Sequence, residues 1–329
     1  MTSRAQLSGG SGPVRWGILG TGGITGALLR GAGRTDAVEV VAVGSRTADR
    51  ATAYATEHGI ARAHASYEAL LADPDVEAVY ISLPNSLHHP WTMRALQAGK
   101  HVLCEKPYSR HHADVVSAFD LAERARLVLC EGFMWRHHPQ ARTFVELLPE
   151  LGELQTIRST FSFVLDRPND IRLRSDLDGG SLMDVGTYCI SGARLLTGEE
   201  PDLVYGMQVI GPSGVDVRFN GLLHFPGGAV AEFMSGFETD HRGLEAIGSE
   251  GSARLTNPWL PDDPDPILIR DGVETAIDFF DPYRLELEDV SGAIRERRPT
   301  LLGRADALGQ ARAIEALYRS AELGTSVRV

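Results

Sequence analysis

The chain lacks what several protein classes require. Cysteine is scarce: Cys104, Cys130 and Cys189 are the three in 329 residues, too few and too scattered for a disulfide framework or a zinc pattern, so buried free thiols are expected. No apolar run reaches the roughly 18 residues a membrane helix needs. The opening MTSRAQLSGGSGP has no apolar signal core, and a cytoplasmic protein is expected. Cations are outnumbered, 32 Lys and Arg against 44 Asp and Glu for a net charge of −12. That argues against a nucleic-acid surface, which needs clustered Lys and Arg. The pairs His88-His89, His111-His112 and His137-His138 project in different directions, and no carboxylate or thiol spacing completes a site, so no metal is expected. What remains is ordinary: 43% hydrophobic and 23% charged residues, and a length that predicts two domains and a small-molecule partner.

The stretch that organises the chain is 14–28, VRWGILGTGGITGAL, an apolar strand running into a glycine-rich turn that opens a helix. Gly20-Thr21-Gly22-Gly23-Ile24-Thr25 approaches G-x-G-x-x-G. The first glycine permits the bend, the second lets backbone N–H groups approach a pyrophosphate, and the helix N-terminus adds partial positive charge. Thr25 stands where the third glycine is usual. After the next strand-like run, 38–43, comes Ser45-Arg46 and then Arg50, where an NAD enzyme places an acid for the ribose hydroxyls. A hydroxyl and two guanidinium forks suit a 2′-phosphate instead, so NADP is favoured over NAD.

Helix 48–58 ends at Gly59, and Ser66 reads as the N-cap of helix 67–72. Strands at 78–82, 101–104 and 127–130 alternate with helices at 90–98 and 113–124. Five strand-like runs separated by helices predict a doubly wound parallel sheet over 14–132, after a flexible tail at 1–13. From 133 to 329 the pattern changes to period-two runs at 154–164, 221–225, 229–237 and 253–255. These predict an α+β domain with an open, mainly antiparallel sheet. The overall class is therefore α/β, and the final helix, 305–323, is expected to pack back on a domain.

Two places carry candidate chemistry. The loop Leu83-Pro84-Asn85-Ser86-Leu87-His88 leaves a buried strand at the edge where open α/β sheets bind ligands; Leu83, Pro84, Asn85 and His88 are assigned to the coenzyme, with Asn85 and His88 at the nicotinamide ribose. In Glu105-Lys106-Pro107 the proline holds Lys106 extended at the sheet rim, which makes Glu105 and Lys106 candidates for the same site. Asp184 and Tyr188, four apart at the opening of a helix, share one face.

Four segments together resemble the glucose-fructose oxidoreductase / inositol dehydrogenase family: 20–24, GTGGI; 98–107, AGKHVLCEKP; 131–136, EGFMWR; and 179–188, GGSLMDVGTY. The resemblance implies a Rossmann domain, a substrate domain whose sheet forms the interface of a homodimer or homotetramer, and reversible hydride transfer with a sugar or polyol. It makes Lys106 the catalytic lysine, lets Asp184 hold a substrate hydroxyl, and puts Trp135 and Arg136 at the nicotinamide or sugar. Many relatives carry His where this chain has Tyr188, a departure shared with dimeric dihydrodiol dehydrogenases and NADP-linked xylose dehydrogenases.

The expected function is NADP-dependent oxidation of an aldose or a cyclic trans-diol. Its rivals are reduction of a keto group on a nucleotide-linked sugar and a non-catalytic NADP sensor. A nearby ammonium favours phenolate, so Tyr188 is expected to exchange the hydroxyl proton with a pKa lowered from about 10. The resemblance also permits Lys106 as the proton carrier.

Overall fold

The computed structural model describes residues 12–260 and 267–329. The tail expected at 1–13 lies outside these except for Gly12 and Pro13, whose carbonyls accept hydrogen bonds from Arg295.

The first half alternates strand and helix: β1 (Val14–Leu19), α1 (Ile24–Ala32), β2 (Val38–Gly44), α2 (Ala48–His58), β3 (Arg62–His64) and α3 (Tyr67–Leu71). It continues through β4 (Ala78–Ile81), α4 (His88–Gln97), β5 (His101–Glu105), α5 (His112–Ala125) and β6 (Leu129–Gly132). Six parallel strands form one sheet in the order β3-β2-β1-β4-β5-β6. The order reverses at β1 and β4, the switch point where such sheets bind ligands. The sequence reading found five of these strands. The sixth, β3, is three residues long without an apolar run, and only its pairing with β2 makes it a strand. Local chemistry does explain the helix ends: Ser66 Oγ accepts from the Ala69 amide, and Gly59 closes α2 at φ 67°.

The second half begins with α6 (Met134–His137), α7 (Pro139–Leu147) and β7 (Leu154–Ser162). After α8 (Thr187–Thr197) come β8 (Leu203–Ile210), β9 (Asp216–His224), β10 (Val230–Gly236), β11 (His241–Gly248) and β12 (Ser252–Leu255). The described chain closes with β13 (Ile267–Arg270), β14 (Val273–Ala276), α9 (Pro282–Glu296), α10 (Arg304–Leu323) and β15 (Val327–Arg328). The sheet order is β14-β13-β12-β11-β7-β10-β9-β8-β15, antiparallel apart from the parallel β7–β10 pair.

One face of this sheet is covered by α8 and α10, while α9 packs on α1 and β1 and α10 reaches α5. The C-terminal helices therefore tie the two sheets together. The opposite face leaves Met207 60% and Leu222 46% exposed. Among the described residues no helix is long and apolar enough to cross a membrane.

Candidate active site

The site opens where β1 ends. Gly20 has φ 105°, and a Cβ there would stand 3.0 Å from Ser82 Oγ, so the bend needs glycine. No side chain caps α1, and its first turn holds no acid; the Thr25 and Gly26 amides donate to the Gly22 and Gly23 carbonyls, so an anion at this positive dipole end would meet the amides of the glycine turn and Ile24. Gly22, Gly23 and Ile24 border a cavity of about 450 Å³. A Cβ on Gly23 would meet nothing within 4 Å, so the turn presents open backbone to a ligand. Thr25 takes the place of the third glycine by bonding inward. Its hydroxyl donates to the Gly22 carbonyl at 2.5 Å and shares a hydrogen bond with the Tyr54 hydroxyl.

Beyond β2, Ser45 is buried while Arg46 and Arg50 are exposed. Arg50 donates to Thr21 Oγ1 at 3.3 Å, which joins the arginine pair to the glycine turn. Hydroxyl, guanidinium groups and an uncapped helix end form a donor set that fits a dinucleotide with a 2′-phosphate.

The catalytic candidates converge on the same cavity. Lys106, Asp184 and Tyr188 all border it, although they come from a strand end, a wide helical turn at Leu182–Gly186 and the first turn of α8. Lys106 Nζ donates to the Asp184 carbonyl oxygen at 2.6 Å and lies 3.3 Å from its carboxylate. The other Asp184 oxygen accepts from Arg172 Nε at 2.7 Å. Burial alone would raise the Asp184 pKa, but Lys106 and Arg172 together hold it below the ordinary value. The site thus contains a carboxylate held between two cations.

Lys106 Nζ also sits 5.0 Å from the centroid of the Tyr188 ring. Here the expected electrostatics are corrected. The ammonium lies over the ring face and is engaged by Asp184, so it does not draw the phenol toward phenolate. Burial, followed by the charges of Glu105 and Asp184, pushes the Tyr188 pKa well above its usual 10.0. The ring itself is clamped edge-on between Phe161 and Phe133, at 5.2 and 5.7 Å.

Other expected residues take different roles. Leu83, Pro84, Asn85 and Glu105 border the cavity, and Asn85 Nδ2 donates to the Asp178 carbonyl at 2.8 Å, joining the loop to the second half. His88 also borders the cavity, but its ring nitrogens lie 2.9 and 2.8 Å from the Pro107 and Leu83 carbonyl oxygens. Burial lowers its pKa to about 4, so the imidazole is neutral and its one N–H donates to one of the two carbonyls; both ring nitrogens face the backbone and neither is turned to the ribose. Glu105 accepts from the Tyr80 hydroxyl and from the Lys106 amide, which orients the lysine's backbone.

Trp135 and Arg136 do not border the cavity. Trp135 is fully buried, 5.2 Å from Trp259 ring to ring, and Arg136 donates to Asp306 and Ser191. The Trp135 indole N–H has no hydrogen-bond partner among the described residues, whereas Arg136 is tied to Asp306 and Ser191, so the structure does not bring this pair to the cavity where the resemblance places them.

Sequence reading missed Arg172, Phe161, Phe163, Arg242 and Tyr283, all of which border the cavity. For Arg172 no periodic signal exists, since it lies in a short irregular turn. For Arg242 one did: it occupies the same alternating face of β11 as buried Leu244 and Ala246.

A parallel Rossmann sheet and an open sheet that together border a cavity holding the glycine turn, Lys106, Asp184 and Tyr188 have the architecture of an NAD(P)-dependent oxidoreductase. Residues 14–133 match the oxidoreductase family with an NAD-binding Rossmann fold, and residues 148–254 match the GFO/IDH/MocA C-terminal domain; the chain belongs to the GFO/IDH/MocA family. It is 39% identical to D-xylose 1-dehydrogenase (NADP(+)) 2 of Haloferax volcanii, over 96% of this chain and 100% of that one. An aldose-aldose oxidoreductase from Caulobacter crescentus, solved with glycerol, superposes with a TM-score of 0.89 at 29% identity, covering 96% of this chain and 100% of that one. A 3-ketoreductase from Actinomadura kijaniata, solved with NADP and TDP-benzene, gives 0.89 at 29%, covering 94% and 98%.

Proposed function

We propose that the chain transfers hydride between NADP and a hydroxyl-bearing carbon of a sugar or cyclic polyol, as an aldose 1-dehydrogenase or trans-dihydrodiol dehydrogenase does. The observation that carries this reading is the meeting of Lys106, Asp184 and Tyr188 in the cavity that the Gly22–Gly23–Ile24 turn borders. NADP is supported by Ser45, Arg46 and Arg50 at the end of β2, and by likeness to an NADP-dependent xylose dehydrogenase and an NADP-bound ketoreductase.

Bound NADP supplies the hydride acceptor for alcohol oxidation and, as NADPH, the donor for reduction. The chain's own residues manage the oxygen. In reduction, the Tyr188 hydroxyl, which keeps its proton through neutral pH, donates it to the substrate oxygen as the C–H bond forms. In oxidation the C–H electron pair leaves with the hydride, the O–H proton passes to the Tyr188 oxygen after that hydroxyl has released its own proton to solvent, and the carbonyl remains. Lys106, anchored by Asp184, places positive charge beside that oxygen in both directions. Arg172 keeps Asp184 ionised and in place.

Following NADPH formation over a panel of aldoses and cyclic trans-diols, and its consumption with keto sugars, tests the assignment. Turnover with an aldose or diol is the expected result. Absence of coenzyme turnover with every member would leave a non-catalytic NADP sensor. A second reading, reduction of a keto group on a nucleotide-linked sugar, draws support from likeness to the 3-ketoreductase; a response to keto sugars alone would select it.

The outer face of the second sheet supports self-association. Tyr205, Leu222 and Glu232 lie side by side across β8, β9 and β10, next to exposed Met207. An apolar stripe with the Arg158–Glu232 ion pair at its side suits an isologous interface. Light scattering is expected to return the mass of a dimer or tetramer, and Leu222→Glu to shift it toward monomer. A wild-type monomer at micromolar concentration would remove this interface.

A further inference from the structure

The cavity wall supplied by the second sheet holds an arginine whose buried Nε has no hydrogen-bond partner among the described residues. Arg242 stands at the cavity end of the inward face of β11, followed on that face by buried Leu244 and Ala246. An inward position in an alternating strand is expected to be apolar, so a cation there calls for a reason. Its Nε is buried and makes no hydrogen bond. Asp240, mostly exposed, places a carboxylate oxygen 3.7 Å away, too far for a hydrogen bond and too wet for a strong pair.

The other two cations that border the cavity are engaged. Arg172 donates to Asp184 and Asp170, and Lys106 to Asp184. Arg242 instead lies over Phe161, its register partner on β7, with the guanidinium carbon 5.8 Å from the ring centroid. Phe161 in turn touches Tyr188. Lys106, Tyr188, Phe161 and Arg242 therefore form a row whose successive separations are 5.0, 5.2 and 5.8 Å. The reacting carbon belongs at the Lys106 and Tyr188 end. A substrate lying along the row presents its far end to Arg242.

We propose that Arg242 is a specificity-determining residue that binds an oxyanion, carboxylate or phosphate, borne by the substrate at the end remote from the reacting carbon. A guanidinium fork matches two oxygens of such a group, and the phenyl ring beneath it holds the fork flat and excludes water on one side. The charge balance agrees. Lys106, Arg172 and Arg242 border the cavity against Asp184 and Glu105, leaving one cation for the ligand to neutralise. The proposal rests on this cavity being the substrate site of the oxidoreductase.

The test compares D-glucose with D-glucuronate, D-glucose 6-phosphate and dTDP-glucose under saturating NADP, in the wild type and in Arg242→Gln. The three anionic arms distinguish a sugar carboxylate, a sugar phosphate and a nucleotide diphosphate as the source of the oxyanion. At least one anionic sugar is expected to exceed glucose in kcat/KM about 10-fold or more, a preference that Arg242→Gln abolishes mainly through KM, which rises about 10- to 100-fold. Thermal unfolding gives a readout independent of turnover. An anionic sugar is expected to raise the wild-type Tm, and the shift should vanish in Arg242→Gln. Equal treatment of anionic and neutral sugars by the wild type, or a preference that survives Arg242→Gln, overturns the proposal. If no sugar is oxidised but the Arg242-dependent Tm shift is present, the oxyanion site stands and the oxidoreductase reading falls.

Discussion

Replacing Lys106 by alanine is expected to lower turnover by about 10²- to 10⁴-fold, the usual loss for a positioned acid–base or charge-stabilising group. The ammonium is placed with unusual constraint: Nζ is held by the Asp184 carbonyl at 2.6 Å, and the Tyr188 ring face lies beside it. Removing it takes away the positive charge beside the reacting oxygen. The site should survive the change, because Asp184 keeps its 2.7 Å bond to Arg172 and is not left as an isolated buried charge. NADPH affinity, followed by coenzyme fluorescence, should change little, since the glycine turn and the arginines near Ser45 are untouched. Near-normal turnover in Lys106→Ala would remove the lysine from the mechanism.

Tyr188→Phe separates the two possible proton carriers. The substitution preserves the ring, and with it the contacts to Phe161, Phe133 and Trp259 at 5.2, 5.7 and 6.1 Å, so the folded state should persist. Only the hydroxyl is lost, and among the described residues no group hydrogen-bonds to it. Turnover should fall by about 10²- to 10⁴-fold if the phenol carries the proton.

The pH dependence of the wild type has a definite sign. Because burial and neighbouring carboxylates raise the Tyr188 pKa, the protonated form persists above the usual range. Reduction, which consumes that proton, should be flat through neutral pH and decline only above 10. Oxidation, which needs the deprotonated form, should climb with pH across the same interval. A Tyr188→Phe variant with wild-type rate and an unchanged pH profile would transfer the proton to Lys106.

The corrections to the sequence reading share one cause. The motif assigns Trp135 to the site, yet its side chain meets Trp259, more than a hundred residues on. The loop position assigns His88 to a ribose, yet both its ring nitrogens face backbone carbonyls. One neighbouring ammonium alone predicts a lowered Tyr188 pKa, while burial, Glu105 and Asp184 together act in the opposite direction. A motif names a residue's address along the chain; its electrostatic surroundings come from elements far away in sequence.

What the sequence determined by itself is local. Alternating apolar and capped segments specified the parallel sheet, glycine at 20 specified the bend into α1, and proline after Lys106 ended its strand at the ligand edge, because dihedral limits and capping operate within a few residues. Tertiary structure alone decided which way the charges face. It set Asp184 between Lys106 and Arg172, laid the ammonium on the tyrosine ring instead of its hydroxyl, and turned Arg242 inward with an Nε that makes no hydrogen bond among the described residues. Those outcomes depend on the second sheet docking against the first, since Coulombic and desolvation energies follow distance in space and not separation along the chain.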